Sequence, residues 1–321
     1  MDGLAEGIGG PLVAVRAIHF AATAMTAGAL IFEAAVADFA LRSTHVELAA
    51  TVFRSQTLRV AWIGLAVAML TGLLWLQLQT ASMSGLPLSE TMTSGVLSTV
   101  LNETQFGLVT KIRFGLAIAL ATCLVLHRLA VLRWFALGSA LGFVAAIAWT
   151  GHAGSTVGEI GSLHLTADVL HLLAAATWIG GLMSLALMLA TARRDRSPAW
   201  ASLAREVAQR FSTLGVISVG ALLLTGIINA WILVGSLNAL IVSEYGRLLM
   251  LKIGFFGVMV AFAGVNRLWL VPQLAMASES HAQVDGLRQL TRNSIVEIAL
   301  GFTIFAIVGA LGTLHPAIHG L

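Results

Sequence analysis

The feature that most constrains this chain is a series of apolar runs about 20 residues long, separated by short polar connections. A helix rising 1.5 Å per residue needs about that length to cross a hydrocarbon core of about 30 Å. Such runs occur eight times, over 12–37, 58–79, 106–126, 134–151, 165–190, 211–235, 246–265 and 294–314. Strands of a barrel would instead alternate in short segments between turns. With 58% hydrophobic and 10% charged residues, a pair of soluble domains is excluded. The expected fold is an all-α polytopic membrane protein with eight transmembrane helices in a single membrane domain, residues 1–321.

The net charge of +3 is not a nucleic-acid signal, because the positions of the 18 Lys and Arg report topology. Thirteen arginines, from Arg42, Arg54 and Arg59 through Arg128 and Arg133 to Arg267, Arg288 and Arg292, fall in or beside alternate loops, which are therefore cytoplasmic. Arg16, Lys111, Arg113, Arg247 and Lys252 sit just inside the opposite helix ends, where their stems are expected to snorkel to the outer headgroups. Both termini then lie in the periplasm. The stretch 193–210 reads as a basic amphipathic helix on anionic lipid, and the connection 80–105 as an outer cap. Asp2 and Glu6 stand where a signal peptide would be basic, so the first helix is expected to remain as an anchor. One cysteine, Cys123, excludes an internal disulfide and Cys-x-x-Cys chemistry.

The two halves resemble each other. Arg16-Ala17-Ile18-His19 with Gly28 matches Asp168-Val169-Leu170-His171 with Gly180. Thr71-Gly72 matches Thr225-Gly226, Phe106-Gly107 with Lys111 matches Tyr245-Gly246 with Lys252, His127-Arg128-Leu129 matches Asn266-Arg267-Leu268, and Leu141-Gly142-Phe143 matches Leu300-Gly301-Phe302. Collinear matches indicate duplication: two parallel four-helix repeats, 12–151 and 164–314, about an axis along the membrane normal.

Six of nine histidines, His19, His152, His164, His171, His315 and His319, fall in the outer half. His164, Asp168 and His171 are spaced i, i+4, i+7 and share one helix face. An intramembrane Asp is costly unless paired, and beside an imidazole it would hold the ring in one tautomer. The candidate metal ligands are His19, His152, His164, Asp168, His171 and His315. His152, His164 and His171 are expected to approach one ion, and His19 and His171 to face one cavity near the repeat axis. Imidazole selects copper or zinc over Ca²⁺ or Mg²⁺, and the methionines read as packing residues. His319 reads as idle. Glu33 and Glu297 are expected to pair with nearby arginines. There is no P-loop, Asp-Lys-Thr-Gly motif, Gly-x-Ser-x-Gly elbow or Ser-His-Asp pattern, so the chain reads as a non-enzyme.

From Gly151-His152-Ala153 through Asp168-Val169-Leu170-His171, Trp178-Ile179-Gly180-Gly181-Leu182, Phe211-Ser212, Thr225-Gly226 and Tyr245-Gly246-Arg247 to Asn266-Arg267, the chain resembles the CopD family of bacterial inner-membrane copper-resistance proteins. The first 130 residues resemble it mainly in layout. The resemblance implies copper movement across the cytoplasmic (inner) membrane with a periplasmic copper-binding partner of the CopC type. Here that partner would be a separate chain. Leu314-His315-Pro316-Ala317 departs from the proline-rich close the family suggests, and leaves the role of His315 open.

Three readings follow. The first is a copper-handling protein that captures a copper ion at the outer histidines. The second is a b-type haem electron-transfer protein with two axial histidines and Arg16, Lys111, Arg113 and Lys252 on the propionates. The third is an assembly scaffold whose polar residues only fix helix packing. For any of them, a reporter fused after Leu321 should read as periplasmic; a cytoplasmic signal would invert the charge-based topology.

Overall fold

In the computed structural model, residues 2–44, 47–127, 129–195, 197–276 and 280–319 are described. His45, Arg128 and Arg196 lie outside them, as do the side chains of Arg42, His281 and His319. The described residues form helices and connections with no strand. Eight helices are long and apolar enough to cross a membrane: α1 (Gly9–Leu41), α2 (Ala50–Ser84), α3 (Gln105–Val125), α4 (Ala130–Thr150), α5 (Gly158–Asp195), α6 (Pro198–Val234), α7 (Glu244–Leu274) and α8 (Gln283–Leu311).

Helices α1 and α5 form the centre. They cross where Ala24-x-x-x-Gly28 meets Ala176-x-x-x-Gly180, small residues four apart that let two backbones touch. A Cβ on Gly28 would strike the Ala176 carbonyl and the Gly180 backbone, and one on Gly180 would strike the Ala24 carbonyl. The α5 backbone widens into a π-turn over Ala176–Gly180 at this crossing. Helix α8 closes on α1 in the same way, since a Cβ on Gly309 would lie 2.7 Å from the Val13 carbonyl oxygen. At the inner end, Arg133 of α4 clamps α1 through Glu33 (3.1 Å) and Asp38 (2.6 Å). Phe32, Phe53 and Phe211 stack at 5.6–5.7 Å to join α1, α2 and α6. Met188 and Met259 are buried in this core.

The outer connection 80–105 does form a cap, with short helices Leu88–Thr91 and Val96–Glu103. Thr104 then caps α3 by accepting from the Gly107 amide at 3.0 Å. The other half repeats the device: the short helix Leu237–Val242 leads to Ser243, which accepts from the Gly246 amide at 2.9 Å and caps α7.

Two expectations change. The stretch 193–210 is not a separate surface helix. Pro198, placed at the first turn with Ser197 as cap, starts a single helix of 37 residues that continues to Val234. Its opening turns bury Trp200, Leu203, Ala204, Val207 and Ala208, so packing carries the helix through. Nor do all the outer cations snorkel. Lys111 and Arg247 are exposed, but Arg16 and Arg113 are buried against aromatic faces and Lys252 turns inward onto a histidine.

The crossing predicts a sharp asymmetry among glycines. Gly28→Ala should destabilise the protein by ~1–3 kcal/mol through overpacking, read as a lower thermal midpoint in detergent. Gly257→Ala on α7, where an added Cβ meets nothing within 4 Å, should be neutral or slightly stabilising.

Candidate functional site

Each half of the bundle holds one histidine against a threonine of the next helix in the same way. In the second unit, His171 of α5 meets Thr225 of α6, with Nδ1 to Oγ1 at 2.9 Å. The Thr225 hydroxyl has one proton, which it donates to the Ala221 carbonyl at 2.6 Å. It can therefore only accept from the ring, which assigns the proton to Nδ1 and leaves a lone pair on Nε2. Gly226 provides the space, since a Cβ there would lie 3.5 Å from His171 Cε1. Lys252 of α7 places Nζ 3.4 Å from that Nε2. One turn outward, Asp168 Oδ1 accepts from Asn229 Nδ2 at 3.2 Å and lies within electrostatic reach of Lys252 and Tyr245.

In the first unit, His19 Nδ1 is 3.0 Å from Thr71 Oγ1, and Thr71 donates to the Val67 carbonyl at 2.7 Å. The same reasoning gives Nδ1–H and a bare Nε2. Gly72 again lies beside the ring, 3.3 Å from Cε1 for an added Cβ. The surroundings differ, however. His19 is 2% exposed and enclosed by Trp75, Phe20 and Phe143 at centroid distances of 5.3–6.4 Å. The Arg113 guanidinium lies 4.7 Å from the Phe143 ring centre, and that of Arg16 5.1 Å from Trp75. Counting from Gly107 and Gly246, the position matching Lys252 is Arg113. The expected equivalence of Lys111 with Lys252 is therefore corrected. Lys111 lies on the outside of α3 and donates to Asn102 at 3.3 Å.

The outer histidines form a looser group. His164 is buried, with Nδ1 2.9 Å from Thr156 Oγ1, and the Thr156 hydroxyl also reaches the His152 carbonyl at 3.0 Å. The His152 ring packs on Tyr245 at 6.1 Å and lies within electrostatic reach of His164, His315 and Arg16. His315 is exposed. Among the described residues, no three His, Cys, Asp or Glu side chains are gathered in a way that could hold a metal ion. His152, His164 and His171 thus line one outer region without converging as drawn. His19 and His171 do not face one cavity: one belongs to a nest of α1–α4, the other to α5–α7.

On the inner side, Glu33 pairs with Arg133 as expected, but among the described residues no ion pair joins Glu297 to an arginine. Only 1% exposed, it accepts from Asn266 Nδ2 at 2.6 Å, and Asn266 Oδ1 accepts from Asn293 at 2.8 Å. An amide supplies the hydrogen bond without bringing a second charge into the bilayer. This network borders a cavity of about 180 Å³ between α5, α6, α7 and α8, beside the π-turn Asn266–Leu270.

Such a molecule, with eight helices long and apolar enough to cross a membrane among the described residues, is a multi-pass membrane protein. Two family models match it in succession, copper resistance protein D-like, N-terminal domain over residues 7–162 and copper resistance protein D over residues 205–311. The chain belongs to the copper resistance protein D family. The first half thus matches in sequence as well as in layout. Copper resistance protein D of Pseudomonas syringae pv. tomato is 28% identical over 68% of this chain and 71% of its own length. Copper transport protein CutJ of Bacillus subtilis is 33% identical over 39% of this chain, and inner membrane protein YebZ of Escherichia coli is 30% identical over 53%. The matched regions are 22% and 55% of those two relatives. No solved structure gives a significant match.

His152 lies in the connection between α4 and α5. Burial first, then the fields of Arg16 and His315, hold its ring below the ordinary value of 6.5, against the opposing pull of the Leu311 and Leu314 carbonyls. The unfolded chain then binds more protons as pH falls below 6.5, and stability contributed by the neutral ring is lost there. Thermal midpoints taken between about pH 7.5 and about pH 5 should fall, and His152→Gln should flatten that dependence. An unchanged slope would remove His152 as its source.

Proposed function

We propose that this chain binds copper on the outer side of the bacterial inner membrane and passes it through the second helical unit, with His171 as the innermost of the outer-side ligands. The supporting observation is the His171 ring itself. Thr225 accepts a hydrogen bond from Nδ1–H, so the neutral Nε2 that copper requires is present in the resting protein. The relatives named for copper resistance and copper transport point the same way. His152, His164 and His315 guard the approach, and a periplasmic CopC-type protein would deliver the ion there. The placement in the inner membrane agrees with the name of the Escherichia coli relative.

Lys252 holds the place of the ion. Its ammonium sits 3.4 Å from the lone pair copper would take, and the Asp168 carboxylate is near enough to receive it when copper arrives. A charge-for-charge exchange avoids leaving either the imidazole or the carboxylate unpaired in the bilayer. The haem reading shares the bare Nε2 atoms and the buried cations. It meets a cavity of about 20 Å³ beside His19, room for a water-sized occupant, and two histidines in separate surroundings. A scaffold would not need a histidine with an assigned free nitrogen.

Purified protein assayed for bound copper, together with copper accumulation in cells, tests the proposal. His171→Ala should lower both at least about tenfold, and Lys252→Met should raise copper retention. If His171→Ala, with an unchanged thermal midpoint, binds and moves copper like the parent, the assignment fails.

A further inference from the structure

The first unit contains a cluster of hydrogen-bond donors that the copper reading does not use. Arg113 is 6% exposed and Arg16 5%, both within the outer half of the bundle. Arg113 Nε and Nη2, Arg16 Nε and Trp75 Nε1 are all buried without a partner. Both guanidiniums lie against the same indole, Arg16 at 5.1 Å and Arg113 at 6.0 Å from the ring centre. None of the ion pairs among the described residues involves either arginine. The one unpartnered acceptor of the group is His19 Nε2. A single lone pair cannot serve the N–H bonds of four nitrogens, so at least three donor nitrogens remain.

Buried donors are almost always satisfied, and two uncompensated positive charges in a bilayer are costly. The missing partner must therefore accept hydrogen bonds and carry negative charge. Its size is limited by the cavity that His19, Trp75 and Arg113 line, with Arg16 against the same indole. About 20 Å³ lies between His19, Trp75, Arg113 and Phe143, enough for one water-sized occupant and too little for a carboxylic acid or a phosphate ester. The aromatic walls stabilise the guanidiniums through their faces but offer no acceptor in the plane.

We propose that the first unit binds a small monovalent inorganic anion, of the kind chloride represents, between Arg113 and Trp75 with Arg16 alongside. The equivalent place in the second unit has no such excess. There Asn229 donates to Asp168, and Lys252 faces His171. The two units thus hold ions of opposite sign, and the anion site does not depend on the copper reading.

Equilibrium binding of radioactive chloride to the purified protein, in a gluconate buffer of constant ionic strength, tests this. The parent should bind about one chloride per chain, saturably. Arg113→Gln should weaken binding by roughly tenfold or more, as expected for loss of a charged hydrogen-bonding group. Trp75→Phe keeps an aromatic face but removes the indole N–H together with its five-membered ring, so it should weaken binding severalfold, with the thermal midpoint measured alongside to show that the fold is intact. Arg247→Gln, at an exposed outer cation, should bind chloride as the parent does, and so should His171→Ala. Absence of saturable binding in the parent, parental affinity in both Arg113→Gln and Trp75→Phe, or equal loss in Arg247→Gln would overturn the proposal. Copper measured on the same preparations separates this result from the copper assignment, since Trp75→Phe should leave copper binding unchanged.

Discussion

The contact between Gly28 and Gly180 organises the molecule. Two helices can approach backbone to backbone only where neither carries a side chain, and here the bare positions fall nine residues after His19 and His171 respectively. The close crossing puts α1 and α5 side by side at the centre and leaves each histidine to look away, His19 into α2–α4 and His171 into α6 and α7. Lipid offers no hydrophobic drive for such packing, so its strength comes from close van der Waals contact. A single methyl group at the crossing is therefore enough to disturb it.

Around this centre one device is used twice and then diverges. A histidine, a threonine from the next helix and a glycine beside the ring give the same tautomer in both units. What faces the free nitrogen is not the same. Asp168, Asn229, Tyr245 and Lys252 occupy the places where the first unit has Arg16, Trp75, Phe106 and Arg113. The correspondence supports a duplication in which the scaffold was kept and the charged neighbours of the ring changed.

How much of this could be read from the sequence follows from the kind of signal each part leaves. Spans are legible because hydrophobicity summed over about 20 residues is a strong signal, and the i, i+4, i+7 spacing of His164, Asp168 and His171 already puts them along one helix. The Thr71-Gly72 and Thr225-Gly226 matches were visible too, but their role as ring holders depends on which helix faces which. Arg113 was hidden because a cation near a helix end looks the same whether it snorkels out or folds back onto Phe143. The long α6 was masked by its arginines, since an apolar stripe at Trp200, Leu203 and Val207 packs as well against protein as against lipid. Glu297 was assigned a charged partner when two amides suffice.

Electrostatics decides why the two histidines cannot share one task. At an effective dielectric of about 20, a unit charge 4 Å away opposes a cation by about 4 kcal/mol. His19 has two arginines near it and no carboxylate among the described residues to answer them, so a copper ion at its Nε2 would meet repulsion that nothing relieves. His171 faces one ammonium on a flexible stem with Asp168 within reach, and that ammonium can withdraw as the ion enters. On the readings proposed above, the same imidazole geometry admits a cation in one unit and calls for an anion in the other. The difference lies in whether the neighbouring positive charge can move and whether a negative one waits to receive it.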